Sequence, residues 1–193
     1  MSLTPSTDAT AADWISSSEL LWPELVSFGP AGFPRHARLR FISDPVRVGQ
    51  SENEAGAYGG TLSEAERLAI AVSVLRKHTS TPDELFFAFW DGFGIDMPAA
   101  RFEVPNREFF LYSGKVAENG SWDIAVADQS PGQPWMPDPA FIWPADHTWC
   151  IANDVDPHWA GVGASSEAIA ELLAEPRLDA VAAKPAEDQP HYY

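Results

Sequence analysis

The run Leu85 to Trp90 (LFFAFW) constrains the fold of this chain more than any other segment. It is almost wholly apolar, and Asp91-Gly92 closes it with a dipeptide that turns the backbone sharply. So short a run, with no polar side to show to water, reads as the central strand of a sheet. Arg35 to Ile42 supplies a second strand by alternation: Ala37, Leu39 and Phe41 fall on one side, His36, Arg38 and Arg40 on the other. Glu108 to Tyr112, Trp122 to Ala127 and His147 to Ala152 are further strand candidates.

Helices flank these strands. Ser63 and Glu66 form the S-x-x-E capping pattern; Leu68, Ala69, Val72 and Leu75 share one side of the helix it opens. Arg76, Lys77 and His78 stand where the helix dipole favours cations, and Thr79 to Pro82 ends the helix. A last helix starts at Ser165 or Ser166, buries Ile169, Leu172 and Leu173, and stops before Pro176. Asp13 to Val26 holds a short helix that Pro23 kinks or whose last turn it opens. Residues 43–60 read as a long surface loop, and six prolines or glycines between Gln129 and Pro144 exclude regular structure there. The pattern predicts an α+β fold: a mixed or antiparallel central sheet, helices packed on one face, and a long proline/glycine-rich loop. Residues 1–12 are expected to be disordered, 13–183 to form a single domain, and 184–193 to be a flexible tail.

At 193 residues, 45% hydrophobic and 12% aromatic, the composition is that of a packed globule. With Cys150 alone, no disulfide closes within one chain. The N-terminal residues lack a basic start and an apolar run, and nothing approaches 18 consecutive apolar residues, so the cytoplasm is the expected compartment. Charge is the unusual property. Twenty-eight acids against twelve Lys and Arg leave −16, and no Lys or Arg occurs from Val116 to Pro176, where ten acids fall. Such a field repels nucleic acid and attracts a basic protein.

Several segments occur together in order: FGPAGFPRHARLRFISDP, HTSTPDELFFAFWDGFG, VPNREFFLYSG, WPADHTWCIANDVD and VGASSEAIAELLAEPRLDAV. As a set they resemble a group of uncharacterised, mainly actinobacterial proteins with a WDGxG, WPxDxxW and VGGS-helix pattern. The resemblance covers roughly residues 28 to 182 and implies no activity, hence no functional residues to carry over. Where that group continues with a small polar stretch before VGGS, this chain has Asp156 to Gly161, so a role for His158 is not one the resemblance implies.

No constellation rises to a catalytic signature. Asp154, Asp156 and His158, with Asp146 and His147 nearby, offer oxygen and nitrogen donors, but strand spacing sets the first three about 7 Å apart per step. A polar strand end is the plainer account, and no metal or cofactor is implied. Gly161 to Ser166 lacks the Lys of a phosphate-binding loop and reads as a turn capping the last helix. Asp91 sits at the end of a strand, where catalytic carboxylates occur, yet Asp-Gly is also a turn. There is no G-x-S-x-G elbow, and Cys150 lies in an apolar run. Of eight tryptophans, Trp135 and Trp143 fall in the proline-rich QPWMPDPAFIWP and are expected to be partly exposed, as interface anchors are.

The reading therefore leans away from an enzyme, toward an acidic protein-binding domain, immunity- or antitoxin-like, for a basic protein partner. Its expected surface is Trp135, Asp138, Trp143, Asp146, Asp154 and Asp156. The alternatives are a small-molecule binder or enzyme with a cleft near Asp91, Asp154 and the 161–166 turn, and a structural or assembly protein. Neither nucleic acid nor a membrane is an expected partner.

Overall fold

A computed structural model describes residues 2–55, 62–124 and 137–193. Its centre is β3 (Leu85–Trp90), and the reason for its apolar composition is that both of its faces are covered. Leu85, Phe87 and Phe89 join one core; Phe86, Ala88 and Trp90 join or pack on a second. The strand sits between β5 (Arg107–Gly114) and β7 (Phe141–Pro144), antiparallel to both.

Among the described residues seven further strands extend the sheet. They are β1 (Ser2–Pro5), β2 (Arg35–Arg40), β4 (Arg101–Val104), β6 (Asp123–Ile124), β8 (Cys150–Ala152), β9 (Trp159–Ala164) and β10 (Ala180–Ala183). Their order is β10-β2-β9-β8-β7-β3-β5-β1-β6, with β4 paired to β5. Among the described residues every pairing is antiparallel except β1 with β6, so the sheet is mixed, within the expected α+β class.

Helices α3 (Glu64–Leu75) and α4 (Ser166–Ala174) lie together on one face. Each begins as its sequence requires. Ser63 Oγ accepts the Glu66 N–H while Glu66 accepts from the Ser63 N–H, and Ser165 Oγ accepts the Ala168 N–H. Their buried residues, among them Leu68, Val72, Ile169 and Leu172, meet Leu39, Phe87, Phe110, Ile151 and Val162 of the sheet. On the opposite face α1 (Asp13–Ser16) and α2 (Trp22–Phe28) carry Ile15, Leu25 and Val26 against Phe109, Phe141, Trp143 and Cys150. Among the described residues no helix is long and apolar enough to cross a membrane.

Several expectations are corrected. Residues 1–12 are not disordered throughout: Ser2–Pro5 pairs with β5 and β6, and Leu3 is buried. The segment from Lys184 is tied down, with Tyr192 O–H donating to Ser43 C=O at 2.6 Å and Tyr193 N–H to Gln50 C=O at 3.0 Å. Phe141–Pro144, within the proline-rich stretch, is a paired strand; Pro144 stands at its end, where the ladder costs least. Of the strand expected over 122–127, Asp123–Ile124 is strand and the residues after it lie outside the described ones.

The 161–166 segment is not a loop. Gly161 and Gly163 belong to β9, and their missing side chains admit the other layer: a Cβ at 161 would lie 1.9 Å from Ser27 O, and one at 163 would lie 2.3 Å from the Phe33 ring. Between them Val162 faces the α3/α4 core. Because the obstacle at 161 is backbone, Gly161→Ala is expected to cost about 2 kcal/mol as α2 is pushed off the sheet. Urea unfolding measures this; an unchanged midpoint would show that α2 is not held there.

Candidate functional site

At one end of the sheet the chain leaves β2, β3 and β8 and enters β7 and β9, and the N-terminus of α3 faces the same place. These ends enclose a cleft of about 290 Å³. Phe41 follows β2, Trp90 ends β3, and Phe93 lies in the turn after it. Asp138 precedes β7, Asp154 follows β8, His158 precedes β9, and Glu64 is the first residue of α3. Glu52 and Asp156 complete the acidic lining. Five carboxylates therefore share one opening with three aromatic rings.

Their charges are not equally balanced. Arg107 reaches Asp154 and Asp156 at 3.3 Å each, with its guanidinium 4.3 Å from the centre of the Trp90 ring. Burial nevertheless raises the Asp154 pKa, against the pull of Arg107. Among the described residues no cation pairs with Asp138. Burial, and then the charge of Glu64, push its carboxyl up to about 6. Glu64 is itself raised by burial, with Arg67 opposing and Glu52 adding to the shift. Arg67 is buried and donates to Phe41 C=O at 2.5 Å. Arg67 is thus the cation whose charge acts on Glu64, while the causes of the Asp138 shift include none.

The remaining expected site residues separate. Trp143 is corrected: it is wholly buried in β7, packed against Trp14, Phe86 and Phe102, and presents nothing to a partner. Trp135 lies outside the described residues. Asp146 organises a turn well apart from the cleft lining. Burial works against its charge, but hydrogen bonds from Thr79, Ser80 and Thr148 outweigh burial and hold the carboxyl well below the usual range. His147, beside it, adopts φ 54° and stacks on Trp14 at 4.2 Å. Asp138, Asp154 and Asp156 are the three expected residues that the cleft brings together.

The cleft imagined near Asp91, Asp154 and the 161–166 turn is also corrected. Asp91 does not line it but faces Arg101 at 3.5 Å and Glu108, and residues 161–164 are buried sheet. Cys150 is buried, and burial pushes its thiol far up, away from the reactive thiolate. His158 points its Nε2 at Asp44 (3.1 Å), so it is committed to that carboxylate and not to Asp154 or Asp156. Among the described residues no group of three or more His, Cys, Asp or Glu could hold a metal ion.

Sequence reasoning missed Glu52 and Glu64. They stand 102 and 90 residues before Asp154, and Glu64 reads locally as a helix-start residue. The sequence acidity is also redistributed in space: Glu171 is met by Lys77 and His78, Glu175 by Arg177, and Asp154 with Asp156 by Arg107, all cations from outside the Lys- and Arg-free stretch.

No protein-family model matches the chain, and no curated protein or solved structure matches it significantly.

Proposed function

We propose that this chain is a non-enzymatic, acidic protein-binding domain, immunity- or antitoxin-like, whose cleft at the strand ends receives a cationic side chain of a basic protein partner. The observation that carries this reading is the acidity of the cleft: Glu52, Glu64 and Asp138 line a space walled by Phe41, Trp90 and Phe93, and burial raises the Glu64 and Asp138 carboxyls although Arg67 opposes the shift at Glu64. Desolvated carboxylates that repel one another gain most from a cation that fits between them. A guanidinium or ammonium also gains from aromatic faces. The formal charge of −16 draws such a partner in from a distance.

A pull-down from lysate at low and high salt tests the proposal. A basic protein retained at low salt and released at high salt supports it; retention of none removes its main support.

Asp138 gives a sharper test with a defined probe, a lysine-rich peptide with glycine spacers that cannot form a strand. Because Asp138 titrates near 6, its negative charge is present at pH 7.5 and mostly neutralised at pH 5. Affinity should therefore strengthen as pH rises across that window. Asp138→Asn is expected to weaken binding about tenfold at pH 7.5 and flatten the pH dependence. Stability should move the other way. The folded pKa is raised above the ordinary 3.8, so the carboxylate destabilises the fold progressively from about pH 4 to 6. Asp138→Asn should then stabilise by about 1–2 kcal/mol above pH 6, after allowance for partial exposure, and by almost nothing below pH 4. Loss of both binding and stability together would mark Asp138 as structural.

A second reading, a small-molecule binder or enzyme using this cleft, has one observation in its favour. A carboxyl titrating near 6 can exchange a proton near neutral pH. Native mass spectrometry of the protein purified from its host would favour that reading if a small cation co-purified in stoichiometric amount.

A further inference from the structure

The last residues of the chain lie against one side of the cleft. From Lys184 the chain turns on itself, with Lys184 C=O accepting from the Glu187 N–H and from Gln189 Nε2. It then passes the start of β9, where Trp159 Nε1 donates to Pro190 C=O at 3.4 Å. Beyond Pro190 it meets the segment of residues 43–55. Tyr192 O–H donates to Ser43 C=O, and Tyr193 N–H donates to Gln50 C=O. The Tyr192 ring also meets the His158 imidazole edge-on at 4.8 Å.

The 43–55 segment moves as a unit because its bonds close on one another. Val46 N–H donates to the Gln50 side chain, Arg47 pairs with Glu54, and Ser51 N–H donates to Glu54. Glu52, which lines the cleft, stands two residues beyond Gln50. The chain end therefore touches one lining residue, His158, directly and holds another, Glu52, through Gln50. Burial, then the charges of Asp44 and Glu52, raise the Tyr192 pKa, so the phenol stays a hydrogen-bond donor at neutral pH. Each hydrogen bond contributes little net of the water it replaces, and ordering a chain end opposes it. Such a closure is marginal, and a small bias opens or shuts it.

We propose that residues 190–193 are a strap whose closure builds the Glu52 and His158 side of the cleft, so that strap closure and cleft occupancy favour each other. The inference rests on the reading that the cleft receives a cationic side chain. With the strap shut, Glu52 stands with Glu64 and Asp138 around one opening. With it open, the 43–55 segment keeps its anchor at Asp44 but loses the bond at Gln50, and Glu52 swings toward water. Glu52 repels Glu64, and Glu64 repels Asp138, so an empty cleft favours opening. A cation among the three reverses that bias and favours closing.

The experiment compares the full chain with a Tyr192→Ala, Tyr193→Pro double variant, which removes the ring, the phenol and the amide donor. Neither residue belongs to either buried core, and unchanged amide exchange in α4 verifies the fold. Without peptide, the Glu54 and Ala55 amides should exchange at least tenfold faster in the variant. The Glu64 pKa, followed by NMR, should fall as Glu52 withdraws, since burial raises it, Arg67 opposes and Glu52 adds. The lysine-rich peptide with glycine spacers should bind the variant about tenfold more weakly. In the parent it should slow exchange of the Tyr193 amide by a comparable factor, because the coupling is reciprocal. Tyr192→Phe, which keeps the ring on His158, should fall between parent and double variant. An unchanged Glu64 pKa with unchanged exchange at Glu54 and Ala55 would overturn the strap, whatever the peptide does. Equal, measurable peptide affinity in parent and double variant would overturn it too. If Glu64 responds as expected but the parent binds no peptide, the hold of the strap on Glu52 is supported and the cleft reading alone is overturned.

Discussion

Trp143→Ala should cost about 3–5 kcal/mol of folding stability, read as a lower urea midpoint with an unchanged slope. Trp143 is 0% exposed. Its ring lies 5.6 Å from that of Phe86 and nearly parallel to it, and it meets Trp14 and Phe102 edge-on at 6.3 and 6.5 Å. Removing it empties the seat of Trp14 and so loosens the N-terminal segment from the sheet. Amide exchange in α1 should quicken more than in α4, which packs on the other face. The indole N–H has no hydrogen-bond partner among the described residues, so the ring matters more than its polar atom. Trp143→Phe is accordingly expected to cost less than half as much. A Trp143→Ala variant with wild-type stability and impaired partner binding would contradict the buried assignment.

That residue also shows where sequence reading ended. Counting prolines and glycines from Gln129 to Pro144 averages over sixteen residues, and the average hides a four-residue strand at the end of the stretch. The capping box at Ser63 and the LFFAFW strand were legible because their causes are local: a side chain reaching three residues on, and a run with no polar side. β9 was not legible because the reason for Gly161 and Gly163 is distant. They are small because Ser27 and Phe33 press on them, and no spacing within GVGASS reveals that. β1 and the C-terminal segment read as loose for a similar reason, since small polar composition says nothing of a strand partner or of Ser43 and Gln50 waiting across the fold. Within the candidate site Asp138, Asp154 and Asp156 could be singled out in the sequence as acids near aromatics. Their companions Glu52 and Glu64, and the arginine that balances two of them, become neighbours through the meeting of strand ends.

Asp44→Ala should cost about 3 kcal/mol, through the charges it leaves behind more than through the contacts it removes. Asp44 accepts from Arg38 at 2.6 and 3.0 Å, from Arg40 at 3.0 Å, and lies 3.1 Å from His158 Nε2. The Arg38 side chain is only 7% exposed, so without Asp44 its guanidinium would be buried and unpaired, the costly way to break an ion pair. Arg40 retains Asp179 and suffers less. The pH dependence identifies the cause. Burial opposes the Asp44 charge, but Arg38, His158 and Arg40 together hold the carboxyl far below its ordinary 3.8. Its stabilisation is therefore full above pH 4 and fades as pH falls through the depressed folded value. Burial lowers His158 as well, so the fold favours its neutral form and loses that preference on acidification below about 6.5. In Asp44→Ala the loss below pH 4 that belongs to this carboxyl should vanish, and the variant and parent stability curves should converge in acid. Since Ser43 receives Tyr192 and Gln50 receives Tyr193, the same substitution should release the C-terminal segment, seen as faster exchange of the Tyr193 amide. Curves that stay parallel down to pH 2 would show that packing around residue 44, and not its charge, holds this corner of the sheet.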